Sequence, residues 1–534
     1  MIKSLSFLLI FLPVVCLAQP EYTTSPTVET ESKGIINVLG LLRTGENNNV
    51  LAVYRSSERG EWMKMRYLKW AADVFDSDME KVNGNVLKEI KLPNKKDPNA
   101  DVAINFGGKP WLILLQFQKR PKRIVLYRCP IDPDGAIGTP EEFGSCPIEK
   151  EGYRMQEYGL LVAPDASKLL FVYYPSPDSF KDPISFAVFD NNWNQQQSGF
   201  FNLPKLGSDL RVDHAFFAPN GTIYMPAWTA LGQNRGILQE LWVWQDPTSE
   251  PKRIDVKLDP DKLITNMKIS HGPDGNLYVG GVWSQASKYN LRMVPVEAMQ
   301  DVQGHFFLKI DPTTYTILSK NTATFSDAIF SFWKISPSEV TEKGRGVKRL
   351  YIEETRALPD GSFWFTMEQF SSQPLGLSDK PDHLDFPNPV SGPVIIIKYG
   401  PDGALQVETL VKRQIMSVKG SGNGHLLFPY ADNALLLYNV HKDDISDEPE
   451  NYGLLRYCRV ADIEGIPKWQ QEANSAVFNL TSRNSGTTKA LFNFEEKEYW
   501  FGPSAWLQVS PTRLLVGCDG RNGNYGLIQV DWPE

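Results

Sequence analysis

Three turn phrases in the chain carry titratable residues at matching distances upstream. Six positions before Asn220, Asp274 and Asp360 stand His214, Lys268 and Glu354, and seven before them stand Asp213, Met267 and Glu353. If the strands entering these turns line a common channel, one slot of each faces its centre. His214, Lys268, Glu353 and Glu354 then become the candidate catalytic residues. Carboxylates beside an imidazole and an ammonium can shuttle protons, the chemistry of a lyase or hydrolase, or can bind an anion or metal. The structural account of the same residues is that mixed charges in a wet channel satisfy one another, and it is the expected one.

Other catalytic signatures are missing. The chain has no HExxH pair and no CxxC spacing, so no metal site is expected. It has no GxSxG elbow and no P-loop, and no GxGxxG opens a helix. The glycine-rich run Gly420-Ser421-Gly422-Asn423-Gly424 joins strands, so no helix N-terminus follows to cradle a phosphate. No cofactor is expected. His271 adjoins a turn and reads as a packing residue. His305 opens a strand, His383 and His441 fall in loops, and His425 begins an apolar strand with no assigned role.

The 14 tryptophans divide by position. Trp242, Trp244, Trp333 and Trp364 lie in or beside strands, where they would fill space between sheets. Trp228 and Trp283 stand at strand ends leading into loops, the placement of a sugar-stacking platform or a partner anchor. Cysteine gives a further constraint. Beyond Cys16 there are four, Cys129, Cys146, Cys458 and Cys518. An even number in an exported chain favours disulfides. Cys129 and Cys146 flank the local turn Pro130-Ile131-Asp132-Pro133-Asp134-Gly135 and are expected to pair, leaving Cys458 with Cys518; four unpaired buried thiols are the alternative.

The elements that must position these residues announce themselves as a repeat. An apolar strand, a Pro-Asp-Gly-like turn and an aromatic, β-branched strand recur as Phe216-Phe217-Ala218-Pro219-Asn220-Gly221-Thr222-Ile223-Tyr224, as Ile269 through Gly275 to Val279, and as Ala357 through Gly361 to Phe365. A looser copy runs from Val162 through Asp165-Ala166 to Phe171. Pro presets the first turn position, Asp or Asn bonds back to the local backbone, and Gly takes the left-handed conformation. A third and often a fourth strand follow each phrase. Four short antiparallel strands, repeated, predict an all-β fold, a single β-propeller of about eight four-stranded blades with long loop insertions. Hairpin tips are expected at 45–49, 107–110, 164–166, 219–221, 273–275, 359–361, 420–424 and 510–513. The surplus length falls in loops near 285–304, 322–349, 368–392 and 440–500, and seven blades is the alternative count. Short helical turns are expected within 295–302 and 462–476.

The run Phe186-Ala187-Val188-Phe189-Asp190-Asn191-Asn192-Trp193-Asn194, the following Asn202-Leu203-Pro204, and Asn220-Gly221-Thr222-Ile223-Tyr224 resemble the VFD, LP and DGxIY phrases of a family of exported, propeller-like Bacteroidota proteins. The resemblance covers roughly residues 155–440. It implies a bacterial envelope location and brings no catalytic residues, because the family has no assigned activity. With a blade strand, Gly526 to Trp532, as its last element, it implies a periplasmic or outer-membrane-associated protein rather than released cargo.

The N-terminus agrees with export. Lys3, the apolar run from Leu5 to Leu17 and Ala18 have the form of a signal peptide over residues 1–18, leaving 19–534 as the propeller domain. Acylation at Cys16 is the alternative. No transmembrane segment is expected in the mature chain. With 55 Lys and Arg against 63 Asp and Glu, a net charge of −8 and scattered basic residues, nucleic acid is an excluded partner. The resulting expectation is a non-catalytic binding or scaffold propeller of the bacterial cell envelope. It would engage a protein partner through its long loops, as an accessory subunit of an outer-membrane secretion or assembly complex. The alternatives are a polysaccharide-active lyase or hydrolase using channel carboxylates and a glycan-binding protein.

Overall fold

The computed structural model describes residues 21–32, 35–44, 49–57, 68–149, 157–174, 183–202, 211–212, 216–218, 220–230, 237–285, 301–348, 350–374, 387–411, 415–416, 425–430, 433–441, 473–482, 485–493, 499–520 and 523–532. The expected signal peptide, Cys16, His214 and Cys458 lie outside them, as do the expected tips at 45–48 and 420–424 and the expected helical turns within 295–300 and 462–472.

The turn phrases form as their residues dictate. Gly221, Gly275 and Gly361 take φ of 86°, 81° and 84°. Asn220, Asp274 and Asp360 each accept the N–H two residues on through Oδ1, at 2.9, 3.1 and 2.9 Å. In the looser copy Ala166 is held at φ 53°, the left-handed region that glycine fills elsewhere. A further copy, Asp402-Gly403, joins the third and fourth strands of its sheet, with Gly403 at φ 78°.

Each of the other phrases connects the first two strands of an antiparallel meander. Sheets of four or five strands span 100–147, 157–200, 211–254, 262–324, 350–416 and 425–493. A nine-stranded sheet holds two further meanders, 35–83 and 499–531, joined at the pair Ile36–Gly520. Glu21–Thr24 closes onto Asn524–Asp531 as an added antiparallel strand. The architecture is an all-β propeller.

The first strands of neighbouring meanders lie side by side, Ile35–Arg43 against Ala100–Phe106 and Leu350–Ala357 between Lys262–His271 and His425–Tyr430. Apolar side chains fill the wedges between sheets. Tyr278, Phe307, Phe363, Phe365 and Tyr399 form one such layer, and Trp364, Ile396, Leu427 and Leu436 belong to the next. Trp242 and Trp244 are buried in a third, as expected for wedge fillers.

In the 425–493 sheet His425–Tyr430 pairs with Asn433–His441, out to Tyr430 opposite Asn433. Two local expectations are corrected. Both described ends of the segment expected as a loop at 368–392 are ladder, with pairing continuing out to Pro374 opposite Pro387. The described helices are Asp327–Phe332 and Pro337–Lys343, inside the 322–349 insertion. Ser336 caps the second with a reciprocal box to Glu339, and Gly344 ends it at φ 62°. Among the described residues no helix is long and apolar enough to cross a membrane.

Candidate functional site

The strand Leu350–Ala357 centres the candidate site. Its ladder with Phe363–Pro374 pairs Ile352 with Met367 and Glu354 with Thr366, so Glu353 is a bulged residue outside the register. A bulge re-aims one side chain away from the pleat. Glu353 is exposed, with protein packed around its carboxyl. That surrounding protein raises its pKa by desolvation, the Glu368 and Glu354 charges add to the rise, and His425 and Lys268 oppose it.

Lys268, Glu353 and Glu354 are thus brought together, as the turn overlay anticipated; His214 is the member outside the described residues. Their bonding is structural. Lys268 Nζ donates to the Glu353 carbonyl at 2.5 Å, tying two sheets. Glu354 Oε2 accepts the backbone N–H of Leu427 in the following sheet at 3.0 Å. One sheet earlier, Asn266 Oδ1 accepts the Ile352 N–H at 3.1 Å. Asn266, like Glu354, follows a bulge, between Ile264 and Asn266. In its place after a bulge and its bond to the next sheet the counterpart of Glu354 is therefore Asn266, whereas the ladder counted from the turn matches Glu354 with Lys268, the residue that turn spacing selects. Asp519 closes the contact between the two meanders of the nine-stranded sheet, accepting the Val38 N–H at 2.8 Å. Burial pushes its pKa up to about 6 against the pull of hydrogen bonds from Val38 and Asn37.

Two histidines that sequence reasoning left without a function bridge sheets in the same way. His425 Nδ1 lies 2.8 Å from Glu368 Oε2, and its Nε2 lies 2.7 Å from Thr366 Oγ1. With Nδ1–H donating to the carboxylate, Nε2 accepts from the hydroxyl. This order of hydroxyl, imidazole and carboxylate is that of a nucleophile relay. Thr366 is 0 % exposed in mid-strand, so no substrate reaches its oxygen. His305 likewise joins Tyr399 Oη at 2.8 Å and Glu408 at 3.0 Å. Burial would raise the Glu408 pKa, but hydrogen bonds from His305 and the Ser326 N–H outweigh it and hold the carboxyl low. The signal available for His425 was the Thr366-Met367-Glu368 alternation, which puts two polar groups on one face of a buried strand.

Across the ring, Asp101 accepts from Arg55 at 2.7 Å and from Trp70 Nε1 at 2.6 Å, while Tyr158 donates to its carbonyl at 3.1 Å. Burial pushes the Asp101 carboxyl above its ordinary range despite the Arg55 charge.

The binding and disulfide candidates fare differently. Trp283 is 5 % exposed, donates to the Ala323 carbonyl at 3.1 Å and packs in the core, so it presents no stacking face. Trp228 lies in Ile223–Ala230 opposite Arg211. Cys129 and Cys146 are free buried thiols. Cys146 stands opposite Ile124, five residues along the strand from Cys129, a separation of roughly 16 Å at 3.3 Å per residue. They also face different cores, which rules out a bond. Cys518 is likewise a free buried thiol. Among the described residues no group of three His, Cys, Asp or Glu side chains could hold a metal ion.

No family model matches the chain. No curated protein matches it in sequence. Several solved structures align with the chain at low similarity. The polysaccharide lyase Uly1 aligns at TM-score 0.39 and 9% identity, covering 85% of this chain and 93% of its own. A PL25 ulvan lyase bound to a glucuronate–sulfated rhamnose unit aligns at 0.37 and 9%, covering 94% and 95%. A protein of unknown function from Dyadobacter fermentans aligns at 0.31 and 7%, covering 65% and 94%.

Proposed function

We propose that the chain is a non-catalytic binding or scaffold propeller. The observation that carries this reading is the use of its inner-strand polar groups. Glu354, Asn266, Asp519, Lys268 and the His425–Glu368 pair each bond one meander to another. Propellers carry their loops on a rigid frame, and loop insertions as long as those expected here suit a wide contact with a protein partner. The signal-peptide form of residues 1–18 and the resemblance to exported envelope proteins support a partner in the bacterial envelope, as part of an outer-membrane secretion or assembly complex.

One observation favours a second reading. Glu353 makes no hydrogen bond through its carboxyl among the described residues, and its raised pKa suits a general acid acting on a polysaccharide. The purified mature chain, incubated with a panel of acidic and neutral polysaccharides, separates the two. The scaffold reading expects no reducing ends and no unsaturated products, together with a stable partner retained through purification from envelope membranes. Turnover that disappears in Glu353→Gln overturns it in favour of the acid.

A further inference from the structure

Arg356 sits three residues beyond the Glu353 bulge, on the same strand. Its guanidinium lies over the Trp506 ring at 4.4 Å from the centroid and over Phe428 at 5.9 Å. Trp506 belongs to Tyr499–Ser510 and Phe428 to His425–Tyr430, so the side chain reaches from its own sheet past the next one to the sheet beyond. Among the described residues its polar contact is a single ion pair with Glu354 Oε2 at 3.8 Å, beyond hydrogen-bonding length. The same Glu354 oxygen already accepts the Leu427 N–H. The side chain remains 23% exposed.

A guanidinium carries five N–H donors in a planar fork. Here the guanidinium lies over two aromatic rings, carries no hydrogen bond among the described residues, and keeps part of its side chain exposed. Surface arginines satisfy their donors with water at little cost. This one is enclosed by Trp506, Phe428 and its own strand, and burial works against its charge. A preorganised, stacked fork with free donors is the geometry that receives an oxyanion in two parallel hydrogen bonds.

We propose that Arg356, supported by Trp506 and Phe428, binds a monoanionic oxyanion, a carboxylate or a sulfate ester, on the channel side of the ring. The neighbouring Glu354 charge sets the preference for one negative charge. A dianion such as phosphate meets that carboxylate's repulsion twice over, whereas a monoanion leaves the guanidinium paired on both sides. The site requires neither the protein partner nor any turnover, so it stands apart from the function proposed above.

Tryptophan fluorescence of the full mature chain tests it, because Trp506 lies directly beneath the fork. Acetate and methyl sulfate are titrated separately at constant ionic strength against chloride, with inorganic phosphate as a third arm. The expected result is a saturable change with acetate or methyl sulfate that chloride does not produce. Arg356→Lys, which keeps the charge and removes the fork, weakens it about tenfold. The circular dichroism melt of that variant checks that it is folded. Arg356→Gln abolishes the change. A response to chloride equal to that of the oxyanions, tighter binding of phosphate, or undiminished binding by folded Arg356→Lys overturns the proposal. Saturation by acetate alone or by methyl sulfate alone supports it and identifies the head group.

Discussion

Glu354 and Leu427 stand in different sheets, and the carboxylate of the first accepts the backbone N–H of the second at 3.0 Å. The edge N–H groups of an inner strand have no ladder partner, and a buried N–H without one costs about 1–3 kcal/mol. A side chain from the preceding meander supplies the acceptor. Asn266 does the same for Ile352, and Asp519 for Val38. Glu354, which turn spacing marks as a catalytic candidate, thus joins two sheets.

The His425 bridge should be the most sensitive point. Its ring and Glu368 are both buried, and removing one partner of such a pair costs about 3–5 kcal/mol. His425→Ala should therefore lower the unfolding free energy by that amount in urea titration. Thr366→Val should lose about 1–2 kcal/mol. A loss below about 1 kcal/mol in His425→Ala would show that the bridge is not formed.

Asp519 predicts a pH dependence. Its folded pKa, about 6, lies above the ordinary 3.8, so the folded state binds this proton more tightly than the unfolded one. The stability it contributes is fully present below pH about 4 and is lost as pH rises through about 6, a change of about 3 kcal/mol. The unfolding free energy of the native protein minus that of Asp519→Asn should fall across this window. A flat or rising difference would contradict the burial assigned to Asp519.

Much of the architecture was legible because it is written locally. Asp274-Gly275 and Asp360-Gly361 specify their hairpins through neighbours two residues away, and no distant contact can easily override them. The bulges were not legible. A bulge changes register without changing composition: turn and ladder both match Lys268 to Glu354, but the bulges fall at different distances from the two turns, and it is Asn266 that shares Glu354's place after a bulge. His425 was missed for a related reason, since its partners lie 57 and 59 residues earlier and meet it only once two sheets pack. The disulfide expectation failed because sequence proximity around the 130–135 turn was taken for spatial proximity. The antiparallel ladder places Cys146 opposite Ile124 instead.

Cys129 and Cys146 should therefore behave as two independent thiols. Burial pushes both up to about 12, which leaves little thiolate in the folded state. Iodoacetamide should label neither in the native protein and both after unfolding without reductant, read by peptide mass spectrometry. Recovery of a Cys129–Cys146 crosslinked peptide would contradict the strand register.

Ala166 offers a stabilising change. It occupies the left-handed turn position that glycine fills at 221, 275 and 361. Relief of that strain outweighs the extra unfolded-state freedom of glycine, and Ala166→Gly should raise stability by about 0.5–1 kcal/mol. A lower thermal midpoint in this variant would contradict the turn geometry.

The central claim, that these polar groups bond sheet to sheet, is tested most directly by amide hydrogen exchange at Leu427. In the native chain this N–H should be protected to the level of its ladder neighbours. In Glu354→Ala it should exchange about tenfold to a hundredfold faster, while the Val38 N–H, held by Asp519, keeps its protection. Equal exchange at Leu427 in the two proteins would contradict the account.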